Sequence, residues 1–572
     1  MSLMSFIRPK TLAASRIALA FLFPFLTVSL GACAPVPPTP RADLAPVKVT
    51  VLAINDFHGN LKPPEGGIRI QDPDHPGQAL QVAAGGAEHL ATAARQLMQQ
   101  NPNHVFVAAG DLVGASPLLS ALFHDEPTID ALSQMGLELS AVGNHEFDKG
   151  YAELLRQQYG GCHPVDGCQG PEPFKGARYH YLSASTWVEQ TGKTLLPAYE
   201  IKRFEGVPVA FIGLTLKATP GIVLASGVKG LRFDDEADTI NRLVPEIQAQ
   251  GVHAIVVLIH EGGYPTGDYN ECPGISGAIV DIAKKLDKAV DVVVSGHTHK
   301  AYNCRIDGRL VTSGDKYGTV LTDIELTLDR AQGTVLSAQA RNLLVRDDVF
   351  AKDTDQTRLI SHYERLAAPQ IQRVVGHISD NFDATSAAGA SSMGQLIADA
   401  QLAATRPSEL GGAVIALTNP GGIRAPLLRK GDGAITYGQV FTSQPFSNNL
   451  VTLTLSGAQL LALLEQQWSG QAKFRPLQVS QGFSYSWDAS QPEGHRVRPD
   501  SLRLQGQAIQ PDARLRVTVN NYLADGGDGF SVLRQGSDRV VGIMDAEALA
   551  RYLQSQALTT PSRLDRVTAL TH

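Results

Sequence analysis

Beyond residue 30 the sequence contains no apolar run long enough to cross a membrane, no long low-complexity tract and no short-period repeat. A spanning helix needs roughly 20 consecutive apolar residues, so the body of the chain holds no candidate for one. Lysine and arginine are not clustered, which argues against the basic patch of a nucleic-acid surface. The net charge is −7, and the leader to Ala32 holds three basic residues and no acids, leaving the remainder at −10. Cysteine is scarce: only Cys33, Cys162, Cys168, Cys272 and Cys304 occur. What is present is ordinary for a globular protein, with 43% apolar and 18% charged residues. A length of 572 residues exceeds what one hydrophobic core usually supports, so two domains are expected.

The N-terminus reads as a targeting segment. Arg8, Lys10 and Arg16 precede an apolar stretch from Ile17 to Leu30, followed by Leu30-Gly31-Ala32-Cys33. A positive region, an apolar region and small residues before a cut describe a secretory signal. The cysteine directly after them resembles a bacterial lipobox, making residues 1–33 a lipoprotein signal with Cys33 as the acylated residue. An ordinary signal peptide or an uncleaved anchor is the alternative. The proline-rich residues 34–48 read as a semi-rigid tether. The expected location is the cell envelope, lipid-anchored on the periplasmic or surface side. Ala34 after Cys33, with no aspartate, points by analogy with lipoprotein sorting to the outer membrane.

With Cys33 lipidated, four cysteines remain in an oxidising compartment. Proximity suggests Cys162–Cys168, within a Gly/Pro-rich loop, and Cys272–Cys304. Four cysteines allow three connectivities, and free buried thiols at Cys272 and Cys304 are the other reading.

From Val49 to about Arg346, β-branched runs at Val49–Ile54, Val105–Ala109, Val209–Gly213, Ile255–Ile259 and Val292–Ser295 alternate with helical patterns such as Glu88–Gln100. This predicts a layered α/β domain over residues 49–346. Val320–Leu328 alternates polar and apolar residues, as an antiparallel or edge strand does. Residues 347–375 read as a connecting helix, with Leu359, Tyr363, Leu366 and Ile371 on one face. Residues 376–572 read as a separate α+β domain, with helices at Ser392–Ala404 and Ser456–Trp468 and strands at Ala413–Thr418, Leu450–Leu455 and Val517–Tyr522.

Five segments of the first domain end alike. Asp56 and His58, Asp111, Asn144 and His145, His260, then His297 and His299 each follow an apolar strand. In an open α/β sheet such positions converge outside the carboxyl ends of the strands. Asp, His and Asn favour divalent ions such as Zn²⁺, Mn²⁺ or Fe²⁺ over thiolate chemistry. Seven candidate ligands exceed one ion's needs and suit a pair ~3.5–4 Å apart, an arrangement that serves phosphate-ester displacement. Taken singly each motif is weak; the ordered set of five carries the signal.

These segments, Asn55-Asp56-Phe57-His58-Gly59, Gly110-Asp111, Gly143-Asn144-His145-Glu146, His260 and Gly296-His297-Thr298-His299, resemble the calcineurin-like metallophosphoesterase motifs. With Ile212–Pro220, they resemble the bacterial 5′-nucleotidase/UDP-sugar hydrolase family from Val49 onward. The resemblance implies Asp56, His58, Asp111 and His299 around one ion. It implies Asp111, Asn144, His260 and His297 around the other, with Asp111 bridging. It also implies a catalytic pair, His145 and Asp148, the carboxylate fixing the imidazole's tautomer and keeping it protonated. Alternatively, Asp148 caps the helix that follows at Tyr151–Gln158.

In the second domain, Asn419–Arg424, Pro445–Leu450 and Asn520–Phe530 resemble the family's nucleotide-binding loops. By that resemblance Phe446 and Tyr522 sandwich a base, Asn448 reads its edge and Asp528 holds ribose hydroxyls. Arg424 offers a fork of donors to phosphate. The plain readings are a core phenylalanine, a tight turn at Asp525–Gly529 and a surface arginine. One departure stands out. Two arginines that precede the Met-Gly of this domain's first long helix in some family members fall at Asp383 and Ala387, and residues 383–392 hold no basic residue. His299 likewise replaces a glutamine of some members.

The expectation is a lipid-anchored hydrolase that uses two divalent ions to release phosphate from 5′-nucleotides for salvage, with UDP-sugars as further candidates. The alternatives are a 2′,3′-cyclic nucleotide phosphodiesterase, a hydrolase of a sulfur-containing substrate, and a non-catalytic surface binding protein.

Overall fold

A computed structural model describes residues 45–75, 77–168, 173–223, 225–384, 389–469, 471 and 474–570. The leader, Cys33, most of the tether and Ala387 lie outside the described residues. Among those described, no helix is long and apolar enough to cross a membrane.

The chain starts a parallel sheet with β1 (Val47–Ile54), β2 (His104–Ala108), β3 (Leu139–Ala141) and β4 (His180–Leu182). Val47 pairs with Leu328 and is buried, so the last residues assigned to the tether belong to the sheet. A second six-stranded sheet follows, built from β5 (Tyr199–Phe204), β6 (Val207–Thr215), β7 (Ala254–His260), β8 (Val292–Ser295), β9 (Tyr302–Ile306) and β10 (Arg309–Ser313), in the order β9-β10-β8-β7-β6-β5. The chain then returns through β11 (Val320–Leu328) and β12 (Val335–Leu344) to complete the first sheet as β12-β11-β1-β2-β3-β4. β11 is antiparallel to both neighbours and therefore interior; its alternation reflects one buried face, and β12 is the edge.

The sheets pack face to face through Val49, Val51, Val107, Val209, Phe211, Val256, Leu258 and Val294. Burial on both faces explains why the central strands read as continuous apolar runs. Helices α1 (Ala87–Gln100), α2 (Glu126–Met135) and α3 (Tyr151–Tyr159) cover the outer face of the first sheet. Helices α4 (Glu236–Ala249) and α5 (Ala278–Lys285) cover that of the second. Cys272–Cys304 and Cys162–Cys168 are both disulfide-bonded, as their proximity suggested.

The connecting helix is α6 (Thr354–Ile371), capped by Asp353, whose side chain accepts from the Asp355 and Gln356 amides. Its buried face is Gln356, Ile360, Tyr363 and Ala367, whereas Leu366 is half exposed, so the expected stripe is rotated. Ile360, Tyr363 and Ala367 join the core of the first domain, so the helix is anchored there.

The second domain carries a five-stranded sheet in the order β15-β13-β16-β14-β17, formed by β13 (Ile415–Thr418), β14 (Asn449–Ser456), β15 (Gln478–Val479), β16 (Arg514–Asn520) and β17 (Ser537–Met544). Helix α7 (Ser392–Thr405) packs with α9 (Asp545–Ser555) through Ile397, Ala400, Leu549 and Leu553. Helix α8 (Gly457–Glu465) contributes Leu460 and Leu463 to the core with Leu453 and Val517. It begins on a capping box of Ser456 and Gln459 and stops before Trp468. β16 ends at Asn520, whose side chain caps the turn Asn521–Ala524, so Tyr522 lies in a helical turn and not in the strand.

Candidate metal centre and its neighbours

All seven expected ligands come from the carboxyl ends of β1, β2, β3, β7 and β8 or the loops directly after them. Asp56, His58 and His299 form one group whose ligand atoms lie within 4.8 Å of one another, and Asp111, His260 and His297 form another. His58 Nε2 links them, at 3.1 Å from His299 Nε2, 3.8 Å from Asp56 Oδ1 and 3.6 Å from Asp111 Oδ2. Asp111 Oδ2 is also 2.9 Å from His260 Nε2, which places this carboxylate between the two groups.

The backbone is strained to achieve this. Asp56, His58, Asp111, His297 and His299 have φ of 51°, 47°, 52°, 69° and 54°, in the left-handed region that non-glycine residues avoid. Such strain persists only where surrounding contacts over-determine it. Asn55 donates through Nδ2 to Asp56 Oδ2 at 2.7 Å, and the His297 amide donates to the same oxygen at 2.9 Å. Backbone carbonyls orient two imidazoles: Gly114 O is 2.9 Å from His58 Nδ1, and Ala109 O is 2.7 Å from His260 Nδ1. Each leaves Nε2 facing the site, as metal-ligating histidines are usually held. Gly143 is required by space, since a Cβ there would stand 2.1 Å from Asp111 Oδ1.

Glu146 was not singled out from sequence, yet it organises the centre. Its carboxylate accepts the amides of Asp111 at 3.0 Å, Leu112 at 2.7 Å and Gly143 at 2.6 Å. Its place in Gly143-Asn144-His145-Glu146 was the one available signal. Burial, and then the Asp111 carboxylate, push its pKa up to about 7.

The charge states suit a cation. Burial lowers His297 to about 3, with repulsion from His260 adding to it, and burial also lowers His58 and His299. These rings are therefore neutral, the form that ligates metal. Burial opposes protonation of His260, but the Asp111 carboxylate outweighs it and raises the pKa to about 10. Burial likewise opposes ionisation of Asp56 and Asp111; the imidazoles, His299 and His260 foremost, outweigh it and hold both well below the ordinary carboxylate range. Asn144 Oδ1 is buried without a hydrogen-bond partner. Two acidic carboxylates, three neutral imidazoles and an orphaned amide oxygen are a donor set that fits divalent ions.

His145 Nδ1 is 2.8 Å from Asp148 Oδ2. Burial works against its protonation, but Asp148 and Asp111 outweigh it, and the pKa is raised. The helix after Asp148 starts on Gly150 with no side-chain cap, so Asp148 serves His145 and not the helix.

The second domain reaches this centre. The Phe446 ring stacks on His145, centroids 5.7 Å apart and 21° from parallel. The Arg424 guanidinium stands 5.8 Å from the Phe446 centroid and opposes protonation of His58, His145 and His299 as a lesser contribution, while its Nη2 is buried and unpartnered. Tyr522 donates its hydroxyl to Asp528 Oδ1 at 2.8 Å. Asp528 also accepts from Arg475 at 2.5 Å and from Asn419 Nδ2 at 2.7 Å. A carboxylate offers about four acceptor positions, so one remains for a ligand hydroxyl. Asn448 is buried and its side chain hydrogen-bonds Asp545. Arg475 was not anticipated, lying in a segment without a motif. Asp383 is exposed, and its amide donates to Ser392 Oγ at 2.8 Å. A cavity of about 970 Å³ adjoins the centre between the domains, bounded by Lys316, Tyr317, Arg424 and the α6 residues Glu364 and Arg365.

Two family models match: calcineurin-like phosphoesterase over residues 49–301 and the 5′-nucleotidase C-terminal domain over residues 374–535. The chain is 32% identical to Endonuclease YhcR of Bacillus subtilis over 89% of its own length, but spans only 40% of that relative. It is 31% identical to Cell wall protein Lmo0130 of Listeria monocytogenes, over 91% of this chain and 68% of the relative. Among solved structures it superposes on a 5′-nucleotidase precursor from Thermus thermophilus with a TM-score of 0.73 and 29% identity, over 92% of this chain and 100% of that one.

Proposed function

The chain belongs to the family that joins a calcineurin-like phosphoesterase domain to a 5′-nucleotidase C-terminal domain, and from that premise we propose that it hydrolyses the phosphate ester of 5′-nucleotides with two divalent ions. The observation that carries this reading is the junction of the Asp56/His58/His299 and Asp111/His260/His297 groups at Asp111, with His145–Asp148 alongside. Bound there, divalent ions supply an acidified water and neutralise phosphoryl charge. The remaining work falls to the chain. With Nδ1 committed to Asp148, His145 has Nε2 free to donate a proton to the phosphoryl or leaving oxygen. Arg424 offers its unpartnered nitrogen to phosphate, in a buried setting where charge-assisted bonds are strong. Phe446 and Tyr522 present aromatic faces to a base, and the open position on Asp528 takes a ribose hydroxyl.

Phosphate release by the soluble form starting at Ala34 tests this, with AMP, UMP, UDP-glucose, 2′,3′-cyclic AMP and an aryl phosphate, each with Mn²⁺, Zn²⁺ or chelator. Chelator-sensitive release from AMP or UMP is expected. Inactivity on every nucleotide by metal-loaded protein would overturn it.

A second reading, phosphodiester hydrolysis, is favoured by the lack of basic residues over 383–392. A diester carries one charge where a monoester carries up to two, so it loses less from missing arginines. Cleavage of 2′,3′-cyclic AMP ahead of AMP would establish that order. For location, we propose lipidation at Cys33 and outer-membrane attachment, on the strength of Leu30-Gly31-Ala32-Cys33. Cys33→Ser should move the protein from the membrane to the soluble envelope fraction; unchanged fractionation would refute it.

A further inference from the structure

The carboxylate assigned to a sugar hydroxyl is nearly used up by the chain itself. Asp528 Oδ1 accepts from the Tyr522 hydroxyl at 2.8 Å and from Arg475 Nη1 at 2.5 Å, which fills both of its lone-pair positions. Oδ2 accepts from Asn419 Nδ2 at 2.7 Å and keeps one position. There is room beside that oxygen: Gly421 carries no side chain, and a Cβ there would stand 3.6 Å from Oδ2.

Each donor is itself held. The Tyr522 hydroxyl accepts the Asp528 amide at 2.8 Å, and the Gly527 backbone lies against the Tyr522 ring, where a Cβ would come within 2.4 Å. Asn419 Oδ1 accepts from Asn520 Nδ2 at 3.2 Å. Arg475 sits on a strap fixed on both sides. Its amide donates to Gln467 O at 2.9 Å, and the Leu477 amide donates to Gln467 Oε1 at 2.8 Å. The Phe474 ring stacks on Trp468, centroids 4.8 Å apart and 8° from parallel. Asp528, at a φ of 54°, is steadied by Gln471 Nε2 donating to its carbonyl at 2.7 Å. The Arg475–Asp528 bond joins two charges and is of the strong kind, so a neutral hydroxyl does not displace it.

A ribose presents two neighbouring hydroxyls, and a carboxylate with both oxygens open can take one on each. Asp528 Oδ1 has no position left for the second. We propose that Arg475 is a specificity-determining positioning residue: by occupying Oδ1 of Asp528 it limits the site to one sugar hydroxyl, so that ribose and a deoxyribose retaining that hydroxyl are held alike. This rests on the nucleotide reading above, with Asp528 as the sugar-binding carboxylate.

Calorimetric titration of the chelated soluble form starting at Ala34 with adenosine, 2′-deoxyadenosine and 3′-deoxyadenosine tests this without turnover. One monodeoxy nucleoside should bind within about twofold of adenosine and the other about tenfold or more weaker, the loss of one hydrogen bond to a charged group. In Arg475→Met, which cannot donate, Oδ1 opens and both monodeoxy nucleosides should bind less tightly than adenosine. Arg475→Lys, which keeps a donor, should hold the wild-type pattern, and the wild-type comparison stands alone if a variant does not fold. Affinity lost on removal of each hydroxyl in turn, or of neither, would overturn the inference, as would a wild-type pattern in folded Arg475→Met. Failure of adenosine to bind would overturn it together with the sugar-binding role of Asp528, whereas phosphate release from AMP reports separately on the phosphohydrolase reading.

Discussion

Replacing Glu146 by glutamine isolates the group that holds the metal centre together without touching metal. The carboxylate takes Asp111 N and Gly143 N on Oε2, and Leu112 N on Oε1. A glutamine of the same shape has one acceptor oxygen. Placed at the Oε2 position it keeps two of these bonds and turns an NH2 toward the Leu112 amide, donor against donor. The Leu112 amide, and the Val113 amide that reaches the same oxygen at 3.4 Å, then lose their acceptor, and each buried unsatisfied amide costs about 1–3 kcal/mol. Because Asp111 sits at positive φ on that same backbone, relaxation moves the residue placed between the two ligand groups. Outer partners of this kind typically govern metal affinity by about 10–100-fold. Urea denaturation of the chelated protein and metal titration of the folded protein read the two effects separately. Stability within about 0.5 kcal/mol of wild type together with unaltered metal affinity would refute this account of Glu146.

Asp148→Asn removes the carboxylate that, against burial, keeps His145 protonated. A group with a raised folded pKa is charged below that pKa and loses its proton above it, so the alkaline limb of the rate profile should move to lower pH. Loss of one charge-assisted bond, about 1.5–3 kcal/mol, corresponds to roughly 10–150-fold in rate; an unmoved limb with an unchanged rate would contradict the role. Because His260 is raised to about 10 without metal but must be neutral to ligate, metal binding near pH 7.5 should release about one proton. Calorimetry in buffers of different ionisation enthalpy checks this, and buffer-independent heats would refute it. Arg424→Ala should lower kcat/KM for nucleotides by roughly 10–150-fold, the same bond energy lost to the phosphate; unchanged kinetics would place Arg424 outside the site.

The strands and the seven inward-facing residues were readable because both depend on local pattern. β-branched runs buried on two faces and terminated by Asp or His need no tertiary information to be recognised. Other features depend on rotation or distance. Which stripe of α6 is buried is decided by the core it meets, so Leu366 faces out while Ala367 faces in. The engagement of Asn448 with Asp545 joins residues about a hundred positions apart, and Arg475 finds Asp528 across a segment with no motif. Glu146 was visible as a letter, but its four backbone partners, Asp111, Leu112, Val113 and Gly143, come together only when β2 and β3 lie side by side.

The left-handed backbone at five of the seven candidate ligands bears on how the protein is supplied with metal. Those conformations are held by carbonyls, amides and a buried glutamate that the chain itself supplies. Carboxylate, imidazole and amide oxygen discriminate weakly among Zn²⁺, Mn²⁺ and Fe²⁺. The working metal would then be set by the ionic composition of the compartment, and the same polypeptide would change its metal when its surroundings do.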